Sequence, residues 1–272
     1  MTVDDRSHAP LVTRARGRAY GVATQPFRVV TKDGVRLSGD RLGDGPVALV
    51  VCHGFTGWHR KPRMVRLQEA LVPWFTIYAF DFRGHGASGG RSAFGAVEEL
   101  DVEAVVRLAR RDGFEQVATL GGSMGGIAAI RHAALCGGVD AVVAASTPAT
   151  WQGHATRAVR RFTWFTSRRP GQVALGAIGV RVVRVWEGAE APIEVVGRIA
   201  PTPLILVHGR NDHFFDEDQA WALFRAAGEP KRLLLSSRFG HAEDGYDPAF
   251  AVRIAGEIRR ALSGDAGARG GS

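Results

Sequence analysis

Short, continuous apolar runs alternate along this chain with longer stretches in which apolar positions recur at helical spacing. Val47–Cys52, Phe75–Phe80, Gln116–Leu120, Val139–Ala145, Pro203–Val207 and Lys231–Ser236 form the first set and predict strands. Unbroken apolarity, rather than strict alternation, is what a strand covered on both faces requires. Pro62–Val72, Val97–Arg110, Ile127–Leu135, Asp216–Ala227 and Pro248–Leu262 form the second set and predict helices. Ahead of them, Phe27–Thr31 and Val35–Ser38 flank Lys32-Asp33-Gly34, a hairpin signal. Such alternation predicts an α/β fold, with a mostly parallel central sheet, helices on both faces and right-handed crossovers. Ligands are then expected at the loops gathered on the carboxyl ends of the strands.

One stretch breaks the rhythm. Between Pro148 and Ala200, about 50 residues separate two strands that a single crossover could join, too many for a bare loop. Helices are expected there around His154–Thr166 and Gln172–Ile178. Residues 148–200 are read as a short helical cap, or lid, with Trp151, Trp164 and Trp186; the competing reading is a packed extension with no role in access. The core is assigned to 25–147 and 201–262, a mobile arm to 1–24 and a disordered glycine-rich tail to 263–272.

A chain of 272 residues, 45% hydrophobic and 23% charged, has ordinary globular composition and can bury one sizeable core. The N-terminus has no apolar leader-like segment, and nowhere does an apolar run reach the about 18 residues of a membrane span, so a soluble cytoplasmic protein with no membrane span is expected. The two cysteines, Cys52 and Cys136, suit buried thiols better than a disulfide framework, and neither sits at metal-ligand spacing. The formal charge of +8 invites a nucleic-acid partner, but the arginines are spread out and no nucleic-acid-binding signature occurs, so none is expected. Their one concentration lies in the 148–200 segment, with eight arginines against three glutamates.

Candidate chemistry centres on Gly121-Gly-Ser-Met-Gly-Gly126, where a strand becomes a helix. A sharp turn there strains the serine backbone, requires close approach at Gly121 and Gly125, and pushes the Ser123 hydroxyl above the sheet edge. The same residues also suit a plain helix N-cap. A nucleophile is favoured by the residues downstream of Ser123, an acid and then a histidine, each in a loop after a strand. Asp212, in His208-Gly-Arg-Asn-Asp-His213, and His241, in Phe239-Gly-His-Ala-Glu, occupy those stations. His241 is expected to take the Ser123 proton, and Asp212 to set the imidazole tautomer. Asp216 and Asp218 are nearby alternatives that look like a helix start, and His213 is a rival histidine; His53, His85 and His208 are expected to brace loops. The backbone amides of Phe55, in His53-Gly-Phe-Thr-Gly57, and of Met124 are expected to form an oxyanion hole.

With these residues assembled, the chain resembles the α/β-hydrolase family from about Phe27 to Leu262. His53-Gly54 is similar to that family's oxyanion loop, and Asp81-Phe-Arg-Gly-His-Gly-Ala-Ser88 to its loop after the next strand, where Asp81 and Arg83 are read as loop-bracing. Within the family the motifs look like those of small capped serine esterases and serine-aminopeptidase-like hydrolases. Serine at position 123 disfavours relatives that place aspartate or cysteine there. The resemblance implies a serine hydrolase that cleaves a carboxylic ester of a small-molecule acyl substrate through an acyl-enzyme on Ser123, with no cofactor and no metal. Alternatives sharing the scaffold are a thioesterase or acyltransferase on a carrier-bound acyl group, a peptidase, and a non-catalytic ligand-binding protein; the basic 148–200 segment motivates the carrier reading, since arginine suits phosphate.

Overall fold

The computed structural model describes residues 17–150, 156–183 and 188–264. Eight strands, β1 (Thr24–Val30), β2 (Arg36–Leu42), β3 (Val47–Cys52), β4 (Phe75–Phe80), β5 (Val117–Gly122), β6 (Ala141–Ala145), β7 (Leu204–Gly209) and β8 (Lys231–Ser236), form one sheet. Their spatial order is β1-β2-β4-β3-β5-β6-β7-β8. The β1–β2 and β2–β4 pairs are antiparallel, and every later pair is parallel.

Continuous apolarity in the middle strands has the expected cause. In β3, Ala48, Val50 and Cys52 belong to the core on one face of the sheet, and Val47, Leu49 and Val51 to the core on the other. Helices α2 (Glu99–Arg111), α3 (Met124–Leu135) and α7 (Glu217–Ala226) cover the first face; α1 (Pro62–Leu71) and α8 (Pro248–Leu262) cover the second. Asp247 starts α8, its carboxylate accepting the Phe250 amide. The α/β fold with a mostly parallel sheet between helical layers is thus present.

Boundaries shift where burial is polar. β2 continues past Ser38 to Leu42, because Asp40, buried in mid-strand, accepts Nε of Arg60 at 2.8 Å and contacts His59 Nε2 at 2.8 Å. β1 begins at Thr24 and, among the described residues, pairs only with β2, so its polar residues lie at the edge of the described sheet. Of the expected mobile arm, residues 1–16 lie outside the described residues, while the stretch ahead of β1 is pinned. The Arg18 amide donates to the Arg60 carbonyl, and the Tyr20 hydroxyl lies 2.6 Å from Gln68 Oε1. Most of the expected glycine-rich tail also lies outside the described residues.

The 148–200 segment carries α4 (Arg157–Thr166), α5 (Arg169–Ala177) and the short α6 (Pro192–Val195), which runs into a 3₁₀ turn at Val196–Ile199. Trp151, Trp186 and His154, the expected start of the first helix, lie outside the described residues. The end of the segment does not stand off the core: Val195, Val196 and Ile199 are buried in it. Residues 181–183 are also stitched to the loop after β4, the Arg181 amide donating to the Gly84 carbonyl and that of Val183 to Ser92. Trp164 is 59% exposed, with the Arg168 guanidinium stacked 3.8 Å from its ring centroid. Cys136 also departs from expectation. Both cysteines are free, but Cys136 is exposed because it sits just past the end of α3.

Candidate active site

Ser123 stands where β5 ends and α3 begins, with φ 54° and ψ −118°, a conformation that L side chains rarely adopt. Its amide donates to the Ala145 carbonyl at 2.8 Å, and its carbonyl accepts the Ile127 amide at 3.0 Å, so both sides of the strained residue are fixed. Although it holds the N-cap position, its side chain makes no capping bond, leaving the hydroxyl for the cavity that it lines. The turn is tight enough to exclude side chains beside it. A Cβ on Gly125 would overlap the Cys52 carbonyl and come within 2.7 Å of the His53 oxygen, and one on Gly121 would lie 2.7 Å from the Gly126 amide. Gly125→Ala is therefore expected to destabilise the fold by about 3 kcal/mol, since backbone rather than a rotatable side chain must give way. Thermal unfolding of the variant, lowered by several degrees, checks this.

Asp212 and His241 meet across the ends of β7 and β8. Asp212 Oδ2 lies 2.8 Å from His241 Nδ1, and Oδ1 accepts the amides of Phe214 at 2.8 Å and Phe215 at 3.1 Å. One oxygen thus shapes the loop while the other holds the imidazole. Burial disfavours the charge on this fully enclosed carboxylate, but His241 and the two amides outweigh that and keep its pKa below the usual range. The rings of Phe214 and Phe215 flank His241 at 4.8 and 5.4 Å, and the Ser146 hydroxyl accepts the amide of Ala242 just beyond it. Of the alternatives, Asp216 is the N-cap of α7 and Asp218 lies in its first turn. His213 lines the same cavity, its ring 6.3 Å from that of His241.

The loop after β3 is held from beneath. His53 Nε2 accepts the Phe82 amide at 3.0 Å, and its Nδ1–H donates to the Gly54 carbonyl at 2.8 Å. Burial, reinforced by nearby His85, drops its pKa to about 3, which keeps that neutral arrangement. His85 contacts the Arg83 carbonyl through Nδ1, and His208, inside β7 rather than after it, contacts the Phe215 carbonyl through Nε2. The Asp81 carboxylate accepts the amides of His59 and Ala87, and Arg83 bridges Asp33 and Asp101. His59, clamped between Asp40 and Asp81, is not singled out by the sequence. Burial pushes its pKa down, yet the two carboxylates prevail and raise it to about 9, so it is charged at neutral pH. Equally silent in the sequence is a group away from the cavity, in which Glu103, His132 and Cys136 bring ligand-type atoms within 4.8 Å of one another. There His132 Nε2 contacts Glu103 Oε2 at 2.9 Å, and Arg107 pairs with the same carboxylate.

Ser123, Met124, Phe55 and His241 all line one cavity of about 560 Å³ at the carboxyl ends of the strands. Phe55 packs on Phe94, ring centroids 4.6 Å apart, and Ile127 and Phe214 extend the apolar lining. The 148–200 segment contributes eight residues, from Pro148 and Thr150 through Val159 and Gln172 to Val182 and Val183, but no arginine among the described residues that line it. The lysine, arginine and carboxylate groups of the wall come instead from Lys61, Arg63, Glu243 and Asp244. Among the described residues, no helix is long and apolar enough to cross a membrane.

Comparison with known proteins identifies the family and the fold. A model described as "Alpha/beta hydrolase family" matches residues 49–267. The uncharacterised protein YfhR of Escherichia coli K12 is 26% identical over 226 residues, covering 78% of this chain and 72% of that protein. The serine hydrolase BPHL of Mus musculus is 33% identical over 117 residues, 42% of this chain and 40% of its own length. Among solved structures, the Pyrococcus furiosus esterase Pf2001 superposes with a TM-score of 0.72 at 22% identity, covering 89% of this chain and 98% of that one. The esterase RhEst1 of Rhodococcus sp. ECU1013 gives 0.70 at 19%, covering 88% and 98%.

Proposed function

The chain belongs to the alpha/beta hydrolase family, and on that premise we propose that it is a serine hydrolase that cleaves a carboxylic ester through an acyl-enzyme on Ser123. The observation that carries this reading is the Asp212–His241 pair, 2.8 Å apart, opening on the cavity lined by a strained Ser123. Asp212 accepts from Nδ1–H of His241, which leaves Nε2 as the basic nitrogen. Nε2 takes the proton of Ser123 Oγ as that oxygen attacks the ester carbonyl. The developing alkoxide is held by the amides of Phe55 and Met124, the latter at the N-terminus of α3, where the helix dipole adds to it. Collapse expels the alcohol, protonated by His241, and a water activated by the same nitrogen then releases the acid and restores Ser123. No step calls on a cofactor or a metal. The 148–200 segment acts as a cap over the acyl side of this site, through the eight residues it lends to the wall.

That wall also weighs against the carrier-bound thioester. The segment's arginines motivate it, yet those among the described residues do not line the cavity, whereas its apolar lining suits an uncharged acyl group. A panel of p-nitrophenyl esters, matched acyl-CoA thioesters and anilides, assayed across a salt series, tests the choice. Ester kcat/KM is expected to exceed that of thioester and anilide by at least about tenfold and to respond little to salt. Faster thioester turnover that weakens with salt would replace the ester reading with the carrier one.

A further inference from the structure

The turn after His241 sets a second carboxylate beside the nucleophile. Glu243 lines the cavity and its side chain is only 13% exposed. One of its oxygens, Oε2, lies 2.8 Å from Lys61 Nζ. The other faces the loop that carries Phe55: a methyl group placed on Gly54 would sit 4.0 Å from Glu243 Oε1 and 3.7 Å from Ser123 Cβ. The carboxylate and the serine thus both border the same space over Gly54. Attack on an ester develops negative charge beside the Phe55 amide, the next residue along, so an uncompensated carboxylate at this spot would oppose the reaction that the site is proposed to perform.

We propose that Lys61 is a positioning residue that cancels the charge of Glu243 at the oxyanion, and that the paired wall makes the site neutral toward the transition state. The inference rests on the acyl-enzyme reading above. The surrounding charges do not take over this role. Asp244 is engaged by Arg63, its neighbour on the rim, and also accepts the His241 amide, while Asp212 is held on the far side of the His241 ring. Lys61 is placed for the task by being the N-cap of α1, whose first residue is Pro62, so the chain direction there is fixed.

Two roles for the pair make opposite predictions. If it only ties the His241 turn to the start of α1, removing either partner loosens the turn, and both single variants lose activity. If it balances charge, the signs differ. Lys61→Met leaves a bare carboxylate near the alkoxide and is expected to lower kcat on a neutral p-nitrophenyl ester by about 10- to 100-fold with little change in KM, the scale of a unit charge a few ångströms away in a partly screened site. Glu243→Gln leaves a bare ammonium and is expected to raise kcat by about threefold or more. The double variant should recover to within about threefold of the unmodified protein, and Lys61→Arg should retain most of the rate. Loss in Glu243→Gln comparable to that in Lys61→Met, or no recovery in the double variant, overturns the proposal. Should Lys61→Met fail to fold, the sign of the Glu243→Gln effect decides alone. Labelling of each variant with a fluorophosphonate separates the two layers. An unmodified protein that does not label refutes the acyl-enzyme reading itself, whereas normal labelling of Ser123 with equal losses in both single variants refutes only the role of Lys61.

Discussion

Ser123→Ala is expected to lower kcat on a p-nitrophenyl ester by about 10⁶-fold, the scale seen when a hydrolase loses the nucleophile of an interdependent set. The fold should survive, because nothing in the elbow depends on the hydroxyl: the Ser123 side chain makes no capping bond, and its backbone is fixed through the amide and carbonyl. Losses at the nucleophile and the base should also fail to add. Once Ser123 is gone, His241 has no proton to take, so His241→Ala alone and combined with Ser123→Ala should reach about the same floor. What remains, about 10³-fold over water, would come from the pocket and the backbone amides. Steady-state kinetics on the two single variants and the double variant check this. A Ser123→Ala protein that keeps a tenth of the rate would mean that another group performs the attack.

The next largest effect is expected from Asp212→Asn, with kcat lowered by about 10⁴-fold and KM changed only a few-fold. The amide oxygen of asparagine can still accept the Phe214 and Phe215 amides that Oδ1 serves now, so the loop should keep its shape. The amide nitrogen, however, would face His241 Nδ1 and donate to it. That forces the proton onto Nε2, the nitrogen that must act as base, and removes the charge that stabilises the imidazolium. Kinetics should thus show a fall in kcat without a matching loss of stability on thermal unfolding. A loss below tenfold would show that the 2.8 Å contact with His241 is structural only.

These expectations are legible in the chain because the groups concerned sit at strand ends, where apolar runs stop. Val47–Cys52 and Gln116–Leu120 announce buried strands, and the small residues from Gly121 to Gly126 announce a turn that the structure shows closing on the Cys52 carbonyl. Legibility fails where polar residues are buried. Asp40 interrupts the apolar pattern of β2, and only its contacts with His59 and Arg60, distant in sequence, explain why the strand runs on. His59 is not singled out by the sequence, because its partners Asp40 and Asp81 are distant along the chain. The buried turn at Val196–Ile199 reads as part of a standing cap because four residues are too few to show a helical period. The Lys61–Glu243 pair joins positions far apart in sequence, and spacing along the chain carries no trace of it. Trp164, one of the tryptophans of the expected cap, is exposed and stacked on Arg168.

The central claim is that Ser123 is an activated nucleophile, and covalent capture tests it most directly. Folded protein treated with a fluorophosphonate, then subjected to intact-mass measurement and peptide mapping, should gain one adduct located on the peptide bearing Gly121-Gly-Ser-Met-Gly-Gly126 and none in Ser123→Ala. Absence of an adduct on the folded protein, or an adduct on any other residue, would contradict the account.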